Sequence, residues 1–420
     1  MASSLGTLLA KMEKRLGVVI PNQPLISRGE CAVFEAQYND SDTQQRLCHD
    51  EQSKYETYHV MYHSSMHAFA KKMKRAETPY KRFVLYNTNW GKFEDGTDNI
   101  TLGSTGLDEK GNAISQIDRP TYFKGKDLLF IASFHSNDVT MSQFHVLAHL
   151  CESLAKSLTV LLPFYPTATM ERVDIHHDGS VPTASTLARF FNGLPSMGYP
   201  IRLMAYDIHT LQNRFFLTGH AVASVHTASE LMRDIIRDMK TDPAKTAIDS
   251  LAFPDAGAHK RFAKLFHPEI TEKNTIICEK VRGEGTTRKV TVIEGEARLK
   301  SSELRHILIV DDILNSGSTL LECAAVLKRM TNSEIKVSAY TTHAVFNKAF
   351  FDSVQNNRFN VFEKVYITDS IPNEISNVDI SSLKMTRIVI PRTPGIETNV
   401  SSDKFKFEII ELASQVINDL

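Results

Sequence analysis

The sequence predicts an α/β fold in which mostly parallel sheets are flanked by helices. Short apolar runs typical of buried strands alternate with helical patterns along most of the chain, which is the signature of βαβ units. The chain has 420 residues, of which 42% are hydrophobic and 23% charged, as in ordinary globular proteins. Since the strand-like runs are more numerous than one compact sheet usually needs, we expect two stacked α/β domains.

The predicted elements follow one another in a regular order. The predicted strands are short and apolar, and they cover residues 128–133, 159–163, 202–206, 247–252, 275–278, 307–310, 336–340, 364–367 and 387–390. The predicted helices repeat apolar residues at three- or four-residue spacing, and they cover residues 142–158, 183–192, 228–239, 259–266 and 316–330. The stretch 93–126 is rich in Gly, Asp, Thr and Lys, which predicts a loop before the first strong strand.

The two ends of the chain carry different signals. Residues 1–55 show few patterns, and we interpret them as an N-terminal extension of uncertain order that begins with a short helix. At the other end a helical stripe is formed by Ile409, Leu412, Ala413, Val416, Ile417 and Leu420. We therefore expect a C-terminal helix, within residues 403–420, that packs back on the first domain.

Composition excludes several kinds of partner. The net charge of -1 and the pI near 7.0 favour neither a nucleic acid nor a membrane surface as partner, so an anionic ligand must be met by local charges. No apolar run approaches the roughly 18 residues of a membrane span. The five cysteines are scattered without a Cys-x-x-Cys spacing, which is typical of reduced thiols in an intracellular protein. We expect a cytoplasmic location, with organelle import left open.

The most informative segment is 307–319, where a buried strand leads into two carboxylates and a hydroxyl-rich turn that opens a helix. Backbone N–H groups and the positive end of the helix dipole favour a phosphate at the turn. Asp311 and Asp312 would repel a phosphate, but they can accept hydrogen bonds from the vicinal hydroxyls of a ribose or hold a bridging cation. The alternative is a solvated Asp pair before a Ser-capped helix.

Two further strand ends carry polar residues. Asp255 follows a strand and opens a helix, so it is either a ligand for a divalent cation or an ordinary helix N-cap. His209 also follows a strand, as a ligand or as a satisfied histidine. The carboxyl ends of parallel strands meet at one sheet edge, which favours a shared site.

Two cations precede the phosphate turn. Lys280 and Arg282 alternate along an extended segment beside the Gly-containing run 283–289, and they either stabilise negative charge on a transferring phosphoryl group or are solvated charges of a hairpin. The pair His176 and His177 lies in a polar loop without further ligands at useful spacing, which argues against a metal site there.

Taken in order, these segments resemble the ribose-phosphate diphosphokinases, or PRPP synthetases, and particularly their plant-type, phosphate-independent class. The likeness spans about residues 56–420 and lies in Leu162-Pro163-Phe164-Tyr165-Pro166-Thr167, Glu171-Arg172, Ser185-Thr186-Leu187-Ala188-Arg189, Asp207-Ile208-His209, Gln212, Phe215-Phe216, Phe253-Pro254-Asp255-Ala256-Gly257, Lys260-Arg261-Phe262, Cys278-Glu279-Lys280-Val281-Arg282, the 307–319 segment and Tyr366-Ile367-Thr368-Asp369-Ser370. The resemblance implies two similar phosphoribosyltransferase-like (type I) domains, at residues 56–224 and 225–402. It also implies diphosphoryl transfer from Mg-ATP to the anomeric hydroxyl of ribose 5-phosphate, giving PRPP and AMP.

The resemblance assigns roles to particular positions. The ribose 5-phosphate residues are Asp311 and Asp312 for the sugar hydroxyls, with Asn315, Ser316, Gly317, Ser318 and Thr319 for the phosphate. Lys280 and Arg282 match the catalytic cations, and His209 and Asp255 match the residues that contact Mg2+. The residues for ATP are His209, Arg172, Phe93 and Asp95. Because Phe93 and Asp95 match a segment that reaches the adenine from a neighbouring subunit, a homo-oligomer is implied.

Departures from the family pattern leave alternatives open. Thr169 and Met170 stand where many members have an Arg-Gln pair, and Thr97 stands where many have Glu. Ser318 replaces a Gly, and it would be strained if that position required a positive φ. A catalytically silent regulatory subunit is therefore the second hypothesis, although Lys280 and the other predicted site residues argue for an enzyme. A phosphoribosyltransferase is the third, and the two-domain length argues against it.

Overall fold

The structure is a computed structural model that describes residues 56–103, 122–167, 170, 179–282, 288–331, 335–372, 385–388 and 407–420. For 280–282, 288–289 and 385–388 it describes the backbone and not the side chains. The N-terminal extension predicted for residues 1–55, with its short helix, lies outside the described residues. None of the described helices is long and apolar enough to cross a membrane.

The first half of the described chain forms a six-stranded sheet. Its strands are β1 (Glu56–Tyr62), β2 (Lys81–Tyr86), β5 (Asp127–Ile131), β6 (Ser157–Leu161), β7 (Ile201–Tyr206) and β8 (Ala221–His226), in the order β2-β1-β5-β6-β7-β8. Neighbouring strands pair in parallel. The helices of this half are α1 (His67–Arg75), α2 (Asn137–Cys151) and α3 (Thr183–Asn192). A separate hairpin consists of β3 (Thr88–Lys92) and β4 (Asp98–Leu102).

The second half forms an eight-stranded sheet. Its strands are β9 (Ser250–Phe253), β10 (Thr275–Arg282), β11 (Arg288–Glu294), β12 (His306–Leu314), β13 (Lys336–Ala344), β14 (Val365–Thr368), β15 (Met385–Ile388) and β16 (Phe407–Ile410), in the order β11-β10-β9-β12-β13-β14-β16-β15. The pair β10 and β11 is antiparallel, and the other pairs of this sheet are parallel. The remaining helices are α4 (Ser229–Thr241), α5 (Ala256–Phe262), α6 (Glu296–Leu299), α7 (Ser318–Met330), α8 (Lys348–Gln355) and α9 (Ala413–Asp419). The predicted fold class, mostly parallel sheets with flanking helices, is confirmed.

The strands form because their side chains are covered on both faces. Strand β12 buries Ile307, Leu308, Ile309 and Val310 completely, which is the pattern of a central parallel strand. Alternate residues of this strand contact different apolar clusters: Leu308 and Val310 lie in one, Ile307 and Ile309 in another. The first of these clusters also contains residues of the other sheet and of α1, α4, α5 and α9, so the two sheets share a core.

The end of the chain differs from the prediction of one helix within 403–420. Residues Phe407–Ile410 form strand β16, and the helix that follows is the shorter α9. The reason is burial on both faces, since Phe407 and Ile409 contact one apolar cluster while Ile410 contacts the other. Helix α9 lies against the first sheet, where Tyr206 donates to Asp419 at 2.7 Å.

Candidate active site

The predicted phosphate turn connects β12 to α7. Strand β12 continues past Asp311 and Asp312 to Leu314, and helix α7 begins at Ser318. The turn is held by the segment after β13, because the N–H of Val345 donates to the carbonyl of Leu314 at 3.0 Å and that of Asn347 donates to the carbonyl of Asn315 at 3.2 Å. The turn is thus fixed at the amino end of a helix of 13 residues, where a phosphate is favoured.

The turn requires glycine at one position, and that position is Gly317. Its φ is +75°, and an added Cβ would lie 2.4 Å from Cζ of Phe359. Ser318 is the first residue of α7 and is not among the described residues with positive φ, so the strain considered for this serine does not occur. The hydroxyls of Ser316 and Ser318 lie 3.0 Å apart beside the turn.

The pKa values of the two aspartates before the turn are shifted in opposite directions. Asp312 is buried, and burial would raise the pKa of its carboxyl. The hydrogen bond from His209 and the charge of Arg261 outweigh burial and hold the pKa of Asp312 below its usual range. The pKa of Asp311 is raised well above its usual range, first by burial and then by the charge of Asp312, with a smaller contribution from Asp255. The carboxyl groups of Asp312 and Asp255 are therefore close enough to Asp311 to raise its pKa.

His209 joins the first sheet to this site. Its Nδ1 lies 2.6 Å from Oδ2 of Asp312. The turn after β7 is shaped by Asp207, whose φ is 38° and whose Oδ2 accepts from the N–H of Ala228 at 2.9 Å and from the hydroxyl of Thr342 at 2.6 Å. These contacts fix the backbone two residues before His209, so that its imidazole meets a carboxylate of the second sheet.

Arg261 belongs to the same cluster, although no separate role was predicted for it. Its Nη1 lies 3.1 Å from Oδ2 of Asp312, 2.5 Å from the carbonyl oxygen of His209 and 3.3 Å from that of Ile208. The sequence signal was weak, because a basic residue in the last turn of a helix such as α5 is common for reasons of the helix dipole. Three-dimensional proximity is what distinguishes it.

Asp255 is the N-cap of α5. Its Oδ1 accepts from the N–H of Ala258 at 2.8 Å, and Gly257 leaves room, since a Cβ there would lie 3.0 Å from that oxygen. Asp255 is therefore a helix N-cap, as the alternative interpretation expected. Its side chain is also exposed, and its charge is close enough to raise the pKa of Asp311. Within the described part of the chain, no group of three or more His, Cys, Asp or Glu residues could hold a metal ion.

The structure describes some of the residues predicted to bind ATP and not others. Phe93 is 56% exposed at the tip of the β3–β4 hairpin, and its N–H donates to the carbonyl of Thr97 at 2.8 Å. Thr97 also donates to Asp95 from its N–H at 2.9 Å and its hydroxyl at 2.6 Å, and these bonds lower the pKa of Asp95. The threonine that replaces a family glutamate therefore rigidifies the tip. Arg172 lies outside the described residues, as do Thr169 and the pair His176 and His177.

The predicted catalytic cations lie on the antiparallel pair of the second sheet. Lys280 is paired with Val290 and Arg282 with Arg288 along β10 and β11. Their side chains are not described. The backbone places both residues at the end of β10, and β10 is the neighbour of β9, the strand that Asp255 follows.

Comparison with known proteins gives consistent results. No family model matches the chain. The chain is 35% identical over 300 residues to ribose-phosphate pyrophosphokinase 4 of Oryza sativa subsp. japonica, covering 70% of this chain and 82% of that protein. It is 34% identical over 299 residues to ribose-phosphate pyrophosphokinase 4 of Arabidopsis thaliana, covering 70% of this chain and 79% of that protein. A solved phosphoribosylpyrophosphate synthetase from Mycobacterium smegmatis matches with a TM-score of 0.55 and 18% identity, over 87% of this chain and 97% of that one, which supports the fold.

Proposed function

The chain belongs to the ribose-phosphate pyrophosphokinase family, and from this premise we propose how its site makes PRPP and AMP from ribose 5-phosphate and ATP. The observation that carries the proposal is the cluster of His209, Arg261 and Asp312, which joins the end of β7 to the end of β12. A transfer between two substrates needs their sites side by side, and this cluster connects the predicted nucleotide side to the predicted ribose side.

The ribose side is formed by the end of β12 and the turn after it. Asp311 and Asp312 accept hydrogen bonds from the sugar hydroxyls, and the segment 315–319 binds the 5-phosphate at the amino end of α7. The positive φ of Gly317 and the paired hydroxyls of Ser316 and Ser318 support this assignment. An incoming phosphate would meet N–H groups and hydroxyls, while the carboxylates stay on the sugar.

The nucleotide side would hold Mg2+ and the phosphates of ATP. Asp255 and His209 would contact the cation together with the phosphates of ATP, because a hard divalent cation prefers oxygen ligands and the described residues form no group of three or more His, Cys, Asp or Glu that could hold it alone. When bound, Mg2+ would neutralise negative charge on the phosphates of ATP. The contact of Nδ1 with Asp312 fixes the orientation of the imidazole, and His209 would contact the cation through its other ring nitrogen. Arg172 would add a cation for ATP.

The reaction requires positioning more than covalent chemistry. The anomeric hydroxyl oxygen attacks the β-phosphorus and loses its proton to solvent, the bond from that phosphorus to the oxygen of the α-phosphate breaks, and AMP leaves with that oxygen. Negative charge spreads over the phosphoryl oxygens in the transition state. Lys280 and Arg282 would lie over this charge, where preorganised cations lower the barrier. Phe93 and Asp95 would reach the adenine of the ATP that is bound to a neighbouring subunit. The Phe93 ring would stack on the adenine and the Asp95 carboxylate would accept a hydrogen bond from its amine, so we propose a homo-oligomer.

The domain division and location expected from the sequence complete the proposal. Residues 56–224 with α9 form the first domain and residues 225–402 with strand β16 the second, in the cytoplasm. The contact of Tyr206 with Asp419 supports grouping α9 with the first sheet.

The experiment that tests the proposal follows AMP by chromatography after incubation with ribose 5-phosphate, ATP and magnesium. We expect AMP to form without added phosphate and to require ribose 5-phosphate. AMP that forms only after phosphate is added would contradict the plant-type class, and no AMP from folded protein under either condition would favour a silent regulatory subunit.

A Lys280→Ala variant should lose turnover while it still binds ribose 5-phosphate. The control, Lys300→Ala, changes a largely exposed surface lysine and should keep its turnover.

A further inference from the structure

Arg261 lies in the last turn of α5, and its guanidinium reaches acceptors that follow two different strands. One acceptor is the carboxylate of Asp312 on β12, in the second sheet. The other two are the carbonyls of Ile208 and His209, which follow β7 of the first sheet. A single side chain therefore holds the backbone of the predicted nucleotide side and a carboxylate of the predicted ribose side.

The surroundings of Arg261 keep this side chain in one place. The side chain is 15% exposed, and its guanidinium carbon lies 4.7 Å from the centre of the Phe262 ring. Its Nε is buried without a hydrogen-bond partner among the described residues. A buried N–H without a partner costs free energy, so the contacts of Nη1 must hold the guanidinium against that cost.

The Asp312 carboxylate depends on two donors. Oδ2 receives both the imidazole of His209 and the Nη1 of Arg261, at 2.6 Å and 3.1 Å. Because Arg261 also holds the carbonyl of His209, it fixes the backbone that carries the imidazole as well as the oxygen that the imidazole meets. Removing Arg261 would free two members of the cluster at once.

We propose that Arg261 is a positioning residue for diphosphoryl transfer, which keeps His209 and Asp312 in register so that the two substrates are aligned. This inference rests on the proposed function. It assigns Arg261 no contact with either substrate. All three contacts are made by Nη1, at the end of a planar group that keeps this nitrogen in place. A lysine ammonium is carried on a shorter, flexible stem and does not occupy the same position.

The test compares Arg261→Lys with a matched control, Arg298→Lys. Arg298 is 12% exposed and pairs with Asp249 at 3.0 Å, beside the amino end of β9 and so at the opposite end of the strand from Asp255. We expect kcat in Arg261→Lys to fall about tenfold to a hundredfold, with increases in KM for both ribose 5-phosphate and ATP. Arg298→Lys should keep wild-type kinetics.

A second variant covers the loss of the side chain. Arg261→Ala removes the guanidinium, and added guanidinium chloride at constant ionic strength should restore part of kcat, whereas it should not raise the kcat of Arg298→Ala. Wild-type kinetics in Arg261→Lys would overturn the proposal. A rise in KM for ATP with no change for ribose 5-phosphate would also overturn it, because it would place Arg261 on the nucleotide. Absence of AMP formation by the wild-type protein would instead overturn the proposed function, so the two failures are distinguishable.

Discussion

The Nδ1 atom of His209 and the Oδ2 atom of Asp312 lie 2.6 Å apart, although the two residues are 103 positions apart. His209 follows β7 of the first sheet, and Asp312 lies near the end of β12 in the second. This contact is short enough to be a strong hydrogen bond to a charged group. The contact links the carboxyl end of β7 in one sheet to the carboxyl end of β12 in the other, and the proposed reaction depends on this link.

Replacing His209 tests the contact. In His209→Ala, Asp312 keeps Arg261 but loses its other donor, and the nucleotide side loses its histidine. A hydrogen bond to a charged group contributes roughly 1.5–3 kcal/mol, so we expect kcat/KM to fall about tenfold or more. Steady-state AMP formation measures this. His145→Ala is the control, since that histidine is 61% exposed and pairs with Asp98 on the surface. Equal activity in the two variants would show that the contact does not matter.

Gly317→Ala should destabilise the protein and weaken ribose 5-phosphate binding. The positive φ costs about 1–3 kcal/mol for a residue with a side chain, and the new Cβ would also collide with Phe359. The control is Gly125→Ala, because Gly125 has a φ of +73° but nothing within 4 Å of an added Cβ. Urea unfolding of both variants should give a larger loss of unfolding free energy at Gly317. Equal losses of unfolding free energy would mean that the turn or the ring of Phe359 shifts to make room for the new Cβ, and would contradict the predicted collision.

Ser318→Gly distinguishes a strained serine from an unstrained one. Since Ser318 begins α7 outside the positive-φ region, glycine should add flexibility and destabilise the helix by about 0.5–1 kcal/mol. We also expect KM for ribose 5-phosphate to stay the same or rise, because the hydroxyl beside Ser316 is lost. A more stable variant with a lower KM would show that Ser318 is strained after all.

Stability should fall on acidification through His63. This side chain is buried, and burial together with the charge of His135 lowers the pKa of His63 to about 4. The unfolded chain takes up the proton near pH 6.5, so protons favour unfolding as the pH decreases from about 6.5 to about 4. The stability present above pH 6.5, up to about 3 kcal/mol for this group, is lost across that window.

Thermal melting of the wild-type protein and of His63→Gln at pH 7.5 and pH 5 measures the effect. The wild-type protein should lose more stability between the two values than the variant does. The variant still contains His59, whose pKa burial also lowers to about 4, so part of the pH dependence should remain. Parallel losses in both proteins would exclude His63 as a source.

Several central strands were predicted because burial on both faces leaves little choice of residue, although the central strand β1 was not predicted. Strands such as β12 and β5 are apolar on both faces, and the sequence shows them as unbroken runs. The edge strand β2 was not predicted, because it alternates exposed and buried positions over six residues and includes charged side chains. Strand β16 was mistaken for part of a helix, since three apolar residues beside a helical stripe fit either period.

Three candidate site residues were selected because polar residues come at or shortly after the ends of predicted strands. The structure places His209 after β7, Asp255 after β9 and Asp312 near the end of β12. Arg261 was not singled out, because its role arises from the packing of α5 between two strand ends and no spacing in the sequence encodes it. The position of the glycine requirement, at Gly317 and not at Ser318, likewise depends on backbone angles.

The most direct test of the central claim follows the β-phosphorus of ATP. Protein incubated with ribose 5-phosphate, magnesium and ATP labelled at the β-phosphorus should transfer the label to a sugar phosphate, PRPP, in equal amount to the AMP formed. Label that appears in ADP, or in inorganic phosphate independent of ribose 5-phosphate, would contradict diphosphoryl transfer and the site described for it.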